Sequence, residues 1–560
     1  MDSFSHPTRR EAMIGGAAAA SLPLLGLTPA SADERQVTGF VFEDADGSGR
    51  RGPQSRGIAG VLVSNGKDVA RTDAEGRYSL PLEDECVIFV IKPSFYAVPV
   101  DAKTMLPRFY YIHQPNGSPA GLDLRYQGVA PTGPLPASLD FPLRRQEEAE
   151  KFDVILFTDP QPESEVEIDF IRDDVVNGVI GSKAAFGITA GDVMFDDLSM
   201  YPRYLHIVAQ IGLPWYNIGG NHDLNYEAPD ATYSRETFKR FFGPRHYAFE
   251  YGKALFLMLD NVDYLGADPA KPRMAGKYQG RIGERQLAFI GNVLAQTPQD
   301  RLVVTVMHIP LRTYLDPKTP NQNTIDKAAF LKLLGDRPQV SFAGHTHTTE
   351  HHYLGAEDGN PNAQPHHHHV LTAVSGSWWS GPFDHRGIAV ADSRDGSPNG
   401  FHVLSVDGTA YATRFQSANE PANRQMRITL EWAHHRAKEI DPQFRMGRLL
   451  SSPIDQENLY ASDVVVNFFD GGPKTGVICQ IGDRPPVKMQ RKTGPDPFVE
   501  AEYARNEDTK KPWVKAEPSS HVWSARLPAD LAVGAHRIKV TVTDEYGRPH
   551  EDNLVLEVRG

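Results

Sequence analysis

The sequence predicts a multi-domain chain in which a central α/β domain lies between two small all-β sandwich domains. Three observations carry this reading. Short apolar segments separated by Gly/Asp turns occupy about 37–100, the spacing of a sandwich. Apolar runs then alternate with amphipathic helical patterns from about 150 to 400, and short strands return after about 415. A chain of 560 residues holds about three or four domains at roughly 100–200 residues each.

The first segment, 1–32, reads as a twin-arginine signal peptide. Thr8-Arg9-Arg10-Glu11-Ala12-Met13-Ile14 is followed by an Ala/Leu/Gly-rich stretch over 13–27 and by Ala30-Ser31-Ala32 as a small-residue cleavage site. That stretch is shorter than the about 20 residues of a comfortable membrane span. No cysteine stands near the cut to take a lipid. The expectation is a bacterial protein, periplasmic or secreted, with no stable membrane anchor after cleavage. This export route carries folded proteins and suits an enzyme that loads metal first.

Residues 33–148 read as the first sandwich plus a linker. Strands are expected at Val37-Thr38-Gly39-Phe40-Val41-Phe42, at 57–63 and at 72–80, and the segment resembles prealbumin-like, Cna-B-type modules. Asp44 and Asp46 can be read as a Ca²⁺ loop, but an Asp/Gly cluster is first a turn signal, and the turn is preferred. Residues 101–148, rich in Pro and Gly, read as an irregular linker with edge strands.

Residues 149–410 read as the α/β domain. The strand over 152–158 ends at Asp159, and Ser164-Glu165-Val166-Glu167 is a capping box. It opens a helix with Ile168, Ile171, Val175 and Val179 on one face. A strand over 184–190 ends at Gly191-Asp192, and a second helix presents Leu198, Tyr201, Leu205 and Val208. Further strands lead into Gly220-Asn221-His222-Asp223, Asp260, His308 and Gly344-His345-Thr346-His347. Each candidate ligand thus follows the C-terminal end of a strand, where open α/β sheets gather their ligands. Residues 411–560 read as the second sandwich, with its clearest strands over 464–469, 476–481 and 536–543.

Composition narrows the function. A net charge of -13 argues against general nucleic-acid binding, which leans on Lys and Arg. It leaves phosphate substrates open, because bound cations dominate the charge of a local site. Cys86 and Cys479 fall in different predicted domains, which excludes a cysteine metal site and makes a disulfide improbable.

The chemistry lies in five ordered motifs: Asp159-Pro160-Gln161, Gly191-Asp192, Gly220-Asn221-His222-Asp223, His308 and Gly344-His345-Thr346-His347. Singly, each has an ordinary explanation: Gly-Asp marks a turn, and His-Thr-His suits alternating strand residues. Together they supply the carboxylates, amide and imidazoles that two divalent ions about 3.5–4 Å apart require to clamp a phosphoryl group. In this order the motifs resemble the calcineurin-like metallophosphoesterases, over roughly 152–347. The flanks resemble a subgroup with N-terminal and C-terminal β-domains, and Ser375-Gly376-Ser377-Trp378-Trp379-Ser380-Gly381 and Asp395-Gly396-Ser397-Pro398-Asn399-Gly400 look like that subgroup's tail.

The resemblance implies a core of two β-sheets flanked by helices, and a secreted phosphomonoesterase or phosphodiesterase with two divalent ions (Mn, Mg, Zn or Fe). It implies that Asp159, Gln161 and His347 hold one ion, that Asp192 bridges, and that Asn221, His308 and His345 hold the other. Metal-bound hydroxide attacks, and His222 helps protonate the leaving group, oriented by Asp196 or Asp197. Gln161 stands where many relatives have His. Phe195-Asp196-Asp197 matches neither the tyrosine of purple acid phosphatases nor the Asp-Arg-Gly of serine/threonine protein phosphatases. The substrate is expected to be a small phosphate ester or a cell-envelope component. Trp378 and Trp379 read either as an aromatic wall for its organic group or as domain-interface packing. His366–His369 read as mostly solvated or strand-edge histidines, and His351 and His352 as bland. The competing function is a surface binding protein with a vestigial site, which Gln161 alone favours.

Overall fold

The structure is a computed structural model. It describes residues 35–560 except 272–273, 433–439, 442–445 and 448–452. The signal-peptide reading therefore lies outside the described residues. Within them, no helix is long and apolar enough to cross a membrane.

Two five- and six-stranded sheets form the centre. The first runs in the order Trp215–Ile218, Phe186–Ala190, Lys151–Phe157, Gly400–Asp407, Ala410–Ser417. Its first three strands are mutually parallel, and the last two join as an antiparallel hairpin. The second runs Tyr247–Tyr251, Ala254–Met258, Leu302–Val306, Gln339–Ala343, His366–Val370, Glu350–Leu354. Its four inner strands are parallel. Val154, Leu156, Ile188 and Ile218 of one sheet share a buried cluster with Phe256, Val304 and Phe342 of the other. Near-continuous apolar runs form these strands because both faces are covered. Each fully buried side chain of this kind contributes about 1.5–3 kcal/mol of transfer free energy. Truncating Phe256, which is completely buried, would cost about 3–5 kcal/mol.

The helix after the first strand buries Ile168, Ile171, Val175 and Val179 against Ile155, Phe157 and Trp215. Ser164 caps it, accepting from the Glu167 N–H at 3.3 Å. The reciprocal arm of the expected capping box is displaced by one residue, because the Glu167 carboxylate accepts from the Glu163 N–H at 2.7 Å. Helix Glu165–Phe170 passes into a π-helical turn over Ile171–Val176.

The N-terminal part is a sandwich of two four-stranded sheets. Its strands are shorter than expected around Thr72 to Gly76. There the Asp73 side chain accepts from the Glu75 and Arg77 N–H groups at 3.0 and 2.8 Å and turns the chain between Val69–Arg71 and Arg77–Pro81. The stretch expected as an irregular linker with edge strands supplies two strands of the sandwich. Phe141–Arg145 pairs in parallel with Gln36–Glu43 inside one sheet, and Tyr110–His113 edges the other. Asp44 accepts from the Gly49 N–H at 3.2 Å and lies 3.5 Å from Arg144, which accounts for its burial as a turn residue. Phe89 of this sandwich meets Phe289 of the central helix Gly283–Ala295 at 5.8 Å, so the two parts share one apolar core.

The C-terminal sandwich has sheets of four and five strands. Ala410–Ser417, at the expected start of this domain, completes the first central sheet instead. Cys86 and Cys479 are both free.

Candidate metal centre

All five motifs converge at the C-terminal ends of the central strands. The turns that carry them are tight. Asp159, Gln161, Asp192, Asp196, His345, His347 and Trp378 all adopt left-handed backbone conformations, each costing on the order of 1–3 kcal/mol in a non-glycine residue. Such strain persists where the surroundings over-determine it. The motif glycines are required by close approach: a Cβ on Gly220 would strike the Asp192 carboxylate, and one on Gly344 would strike that of Asp159.

Asp159 and Asp192 are buried to 1% exposure or less. Asp159 accepts from the His345 N–H at 3.0 Å with each carboxylate oxygen, and His347 Nε2 faces it at 3.7 Å. Asp192 accepts from the His222 N–H at 2.8 Å, and His308 Nε2 lies 3.2 Å from its Oδ2. His308 Nε2 also lies 3.1 Å from Asn221 Oδ1. Donor atoms of Asp192, His308 and His345 fall within 4.8 Å of one another.

The second nitrogens of these imidazoles are held from behind. His308 Nδ1 meets the Ala190 carbonyl at 3.0 Å, His345 Nε2 that of Asn321 at 2.9 Å, and His347 Nδ1 that of Gly376 at 2.6 Å. Each carbonyl fixes the proton on the far nitrogen and leaves a lone pair facing the site. His347 Nε2 is buried with no hydrogen-bond partner, an arrangement that is costly unless a cation meets it. Burial, with Asp192 adding repulsion against relief from His308, pushes the Asp159 carboxyl up to about 7. Burial also drives His345 and His347 down to about 3, which keeps them neutral. Against the opposing effect of burial, Asp192 raises His308 to about 9; a cation facing the two carboxylates would take over the charge that this imidazole balances, so the set fits divalent cations.

Gln161 stands apart from this donor set. Its Oε1 accepts from the Trp378 indole N–H at 2.6 Å, and its Nε2 donates to Asp192 Oδ2 at 2.6 Å. The indole can only donate, so it fixes the amide with its nitrogen toward the carboxylate.

His222 lies beside the carboxylates rather than among the donors. Its Nδ1 is 2.8 Å from Asp196 Oδ1, which also accepts from Tyr226 OH at 2.6 Å. Asp197 instead caps the turn Leu198–Met200. Against the opposing effect of burial, Asp192 and Asp196 raise His222 to about 9. The ring stacks on Phe195 at 4.5 Å.

The two tryptophans divide. Trp378 stacks on His347 at 3.9 Å, whereas Trp379 packs into the helix-side core beside Phe170. Trp513, from the C-terminal sandwich, stacks on Phe195 at 5.7 Å and meets Trp378 edge-on at 6.4 Å. No local pattern in the sequence points to Trp513, because it arrives from a different domain. Asp223 was visible inside its motif, but its role was not. It accepts from the Val193, Met194 and Gly220 N–H groups and from Tyr201 OH, tying the Asp192 and Asn221 loops together.

Residues 45–128 match the family model described as the N terminal of Calcineurin-like phosphoesterase. Residues 368–550 match the one described as the C terminal of Calcineurin-like phosphoesterase. Among solved structures the chain is similar to a purple acid phosphatase, PPD1, isolated from yellow lupin (Lupinus luteus) seeds. The likeness has 12% identity and a TM-score of 0.34, over 64% of this chain and 67% of that one. Comparison with the curated proteins finds no match.

Proposed function

We propose, from the premise that this chain belongs to the calcineurin-like metallophosphoesterases and carries both flanking domains, that it hydrolyses phosphate esters at a dinuclear centre and acts outside the cytoplasm. Asp159 and His347 would hold one divalent ion, Asn221, His308 and His345 the other, and Asp192, between the two sets, would serve both. The single observation that carries this is the convergence of buried Asp159 and Asp192 on imidazoles whose far nitrogens are tied back, leaving His347 Nε2 without a partner. When bound, the ions activate water as a nucleophile and neutralise charge on the phosphoryl oxygens.

The chain's own groups do the rest. His222 Nε2 delivers a proton to the departing ester oxygen, while Asp196 accepts from Nδ1–H and holds that tautomer. Phe195 limits the ring's rotation by stacking. Gln161 acts as a positioning residue: it orients Asp192 and is itself oriented by Trp378. Trp378, Phe195 and Trp513 offer an aromatic border that suits the organic part of a small phosphate ester.

Stripping metal with a chelator and restoring Mn²⁺, Mg²⁺, Zn²⁺ or Fe²⁺ tests the reading. Activity on nitrophenyl phosphate or bis-nitrophenyl phosphate is expected to vanish and return, and the ratio of the two assigns monoester or diester preference. A metal-loaded protein that hydrolyses neither refutes it. Export rests on Arg9-Arg10 and the apolar stretch after it. Cell fractionation of an Arg9→Lys/Arg10→Lys chain is expected to show retention in the cytoplasm, and unchanged export would remove that part.

A further inference from the structure

We propose that a second, structural divalent-cation site lies at the seam between the α/β core and the C-terminal sandwich, formed by His351, His369 and Asp470, with His402 hydrogen-bonded to the carboxylate from the side. These residues and the neighbouring His402 come from three different sheets or their ends. His351 and His369 are cross-strand partners at the edge of the six-stranded sheet. His402 lies on Gly400–Asp407 of the five-stranded sheet, and Asp470 follows Ser462–Phe468 of the C-terminal sandwich. The three histidines are completely buried and Asp470 is 5% exposed.

The geometry is crowded for hydrogen bonding and well suited to a cation. Three Nε2 atoms converge on one oxygen, Asp470 Oδ1, at 3.2, 3.0 and 3.2 Å for His351, His369 and His402. Two of these contacts, from His351 and His402, have hydrogen-bond geometry. The third does not: His369 Nε2 is buried, aimed at the carboxylate and without a hydrogen-bond partner. A misdirected N–H wastes a donor, and a lone pair facing a carboxylate oxygen is repelled. A cation between them removes both problems. Tetrahedral ligands at about 2.0–2.1 Å from a Zn²⁺-like ion stand about 3.3 Å apart, close to the 3.2 and 3.0 Å that separate His351 and His369 from Asp470 Oδ1. Donor atoms of His351, His369 and Asp470 lie mutually within 4.8 Å.

The outer contacts of His351 fit as well. His351 Nδ1 meets His367 Nε2 at 2.9 Å, and His367 Nδ1 meets Tyr411 OH at 2.8 Å. With protons on both Nδ1 atoms, this chain runs outward to the tyrosine and leaves the His351 Nε2 lone pair facing Asp470, as a ligating imidazole requires. Nitrogen-rich donors with one carboxylate favour a borderline ion such as Zn²⁺ over Mg²⁺ or Ca²⁺. An ion there would link the six-stranded core sheet to the C-terminal sandwich. It would enter as that domain docks, so binding and folding would be coupled.

The test is metal stoichiometry on the full chain. After native treatment with a chelator sufficient to abolish turnover, about one equivalent of metal is expected to remain. Asp470→Asn and, separately, His369→Gln are expected to lose that equivalent. Protein grown with Co²⁺ and then stripped in the same way is expected to show the visible absorption of a tetrahedral nitrogen-rich site in the parent chain and neither variant. If Asp470→Asn fails to fold, the cobalt spectrum of the parent chain decides alone. A stripped, folded parent chain with neither residual metal nor a cobalt band overturns the proposal. Failure of the catalytic reading would show separately, as absence of turnover in the fully loaded protein.

Discussion

Two histidine-rich stretches lie almost side by side in the chain and behave differently. His345 and His347 occupy a turn beyond a strand end, with left-handed backbone at both residues. His351 and His352 lie in the edge strand of the same sheet and His366–His369 in the inner strand paired with it. In the turn, residues two apart face one centre. In the strands, alternation sends His366 and His368 to Ser341 on one face and His367 and His369 to Tyr411 and Asp470 on the other. The first set presents lone pairs to the α/β crevice. The second is packed into the molecule, contrary to the expectation of solvated or edge histidines. Composition alone does not separate a catalytic imidazole from a structural one; backbone conformation and the partner of the second nitrogen do.

The comparison breaks first at the donor set. Asn221→Ala and His308→Ala are expected to lose metal, read by elemental analysis, and to lower turnover to that of chelated protein. His366→Gln is expected to leave turnover unchanged, because its ring meets Gln339 and Ser341 away from the centre. Next is His222→Ala, expected to keep its metal but lower kcat by about 10²–10⁴-fold, the usual contribution of a general acid. The loss should be smaller for nitrophenyl esters than for alkyl esters, whose leaving groups need the proton more. Equal metal loss in all three site variants would defeat the division of roles.

The buried strand histidines make a prediction about pH. Burial holds His366 down to about 3 from 6.5, so it stays neutral in the folded chain while the unfolded chain binds a proton below about 6.5. The unfolded state then holds more protons, and stability is lost as pH falls from about 6.5 toward 3. The slope approaches about 1.4 kcal/mol per pH unit for one such histidine. Urea midpoints at pH 7, 6 and 5 measure it, and a shallower slope is expected for His366→Gln. An unchanged slope would show that His366 is not the group responsible. The smallest effect is expected at the aromatic border. Trp513→Ala should raise KM for an aryl phosphate by about 2–10-fold, matching the roughly 0.5–1.5 kcal/mol of an aromatic contact, with little change for an alkyl phosphate.

Much of the fold was legible because its signals are local. Apolar runs ending in Asp159, Asp192 and His308 mark strands covered on both faces, and Ile168, Ile171, Val175 and Val179 mark a helix by period. The inner place of strand Phe141–Arg145 in its sheet is not legible, because its pairing with Gln36–Glu43 spans about a hundred residues and its Pro- and Gly-rich surroundings resemble a linker. Ala410–Ser417 was assigned across the domain boundary because a strand's sequence does not say which sheet will pair with it. At the site, residue types and order were readable. The orientation of Gln161 was not, since it depends on the Trp378 indole far along the chain.

The sequence by itself determined which side chains can do chemistry, and that they stand at strand ends. Both follow from motif identity and from the short-range pattern of apolar and turn residues. Only the tertiary structure decided that Asp196 rather than Asp197 meets His222, that Trp378 faces the centre while Trp379 faces the core, and that Trp513 reaches Phe195 from another domain. It also gathered three buried histidines from two sheets around Asp470. These are contacts between segments distant in sequence, set by how sheets pack and which way a turn points its residues, and no local periodicity encodes them.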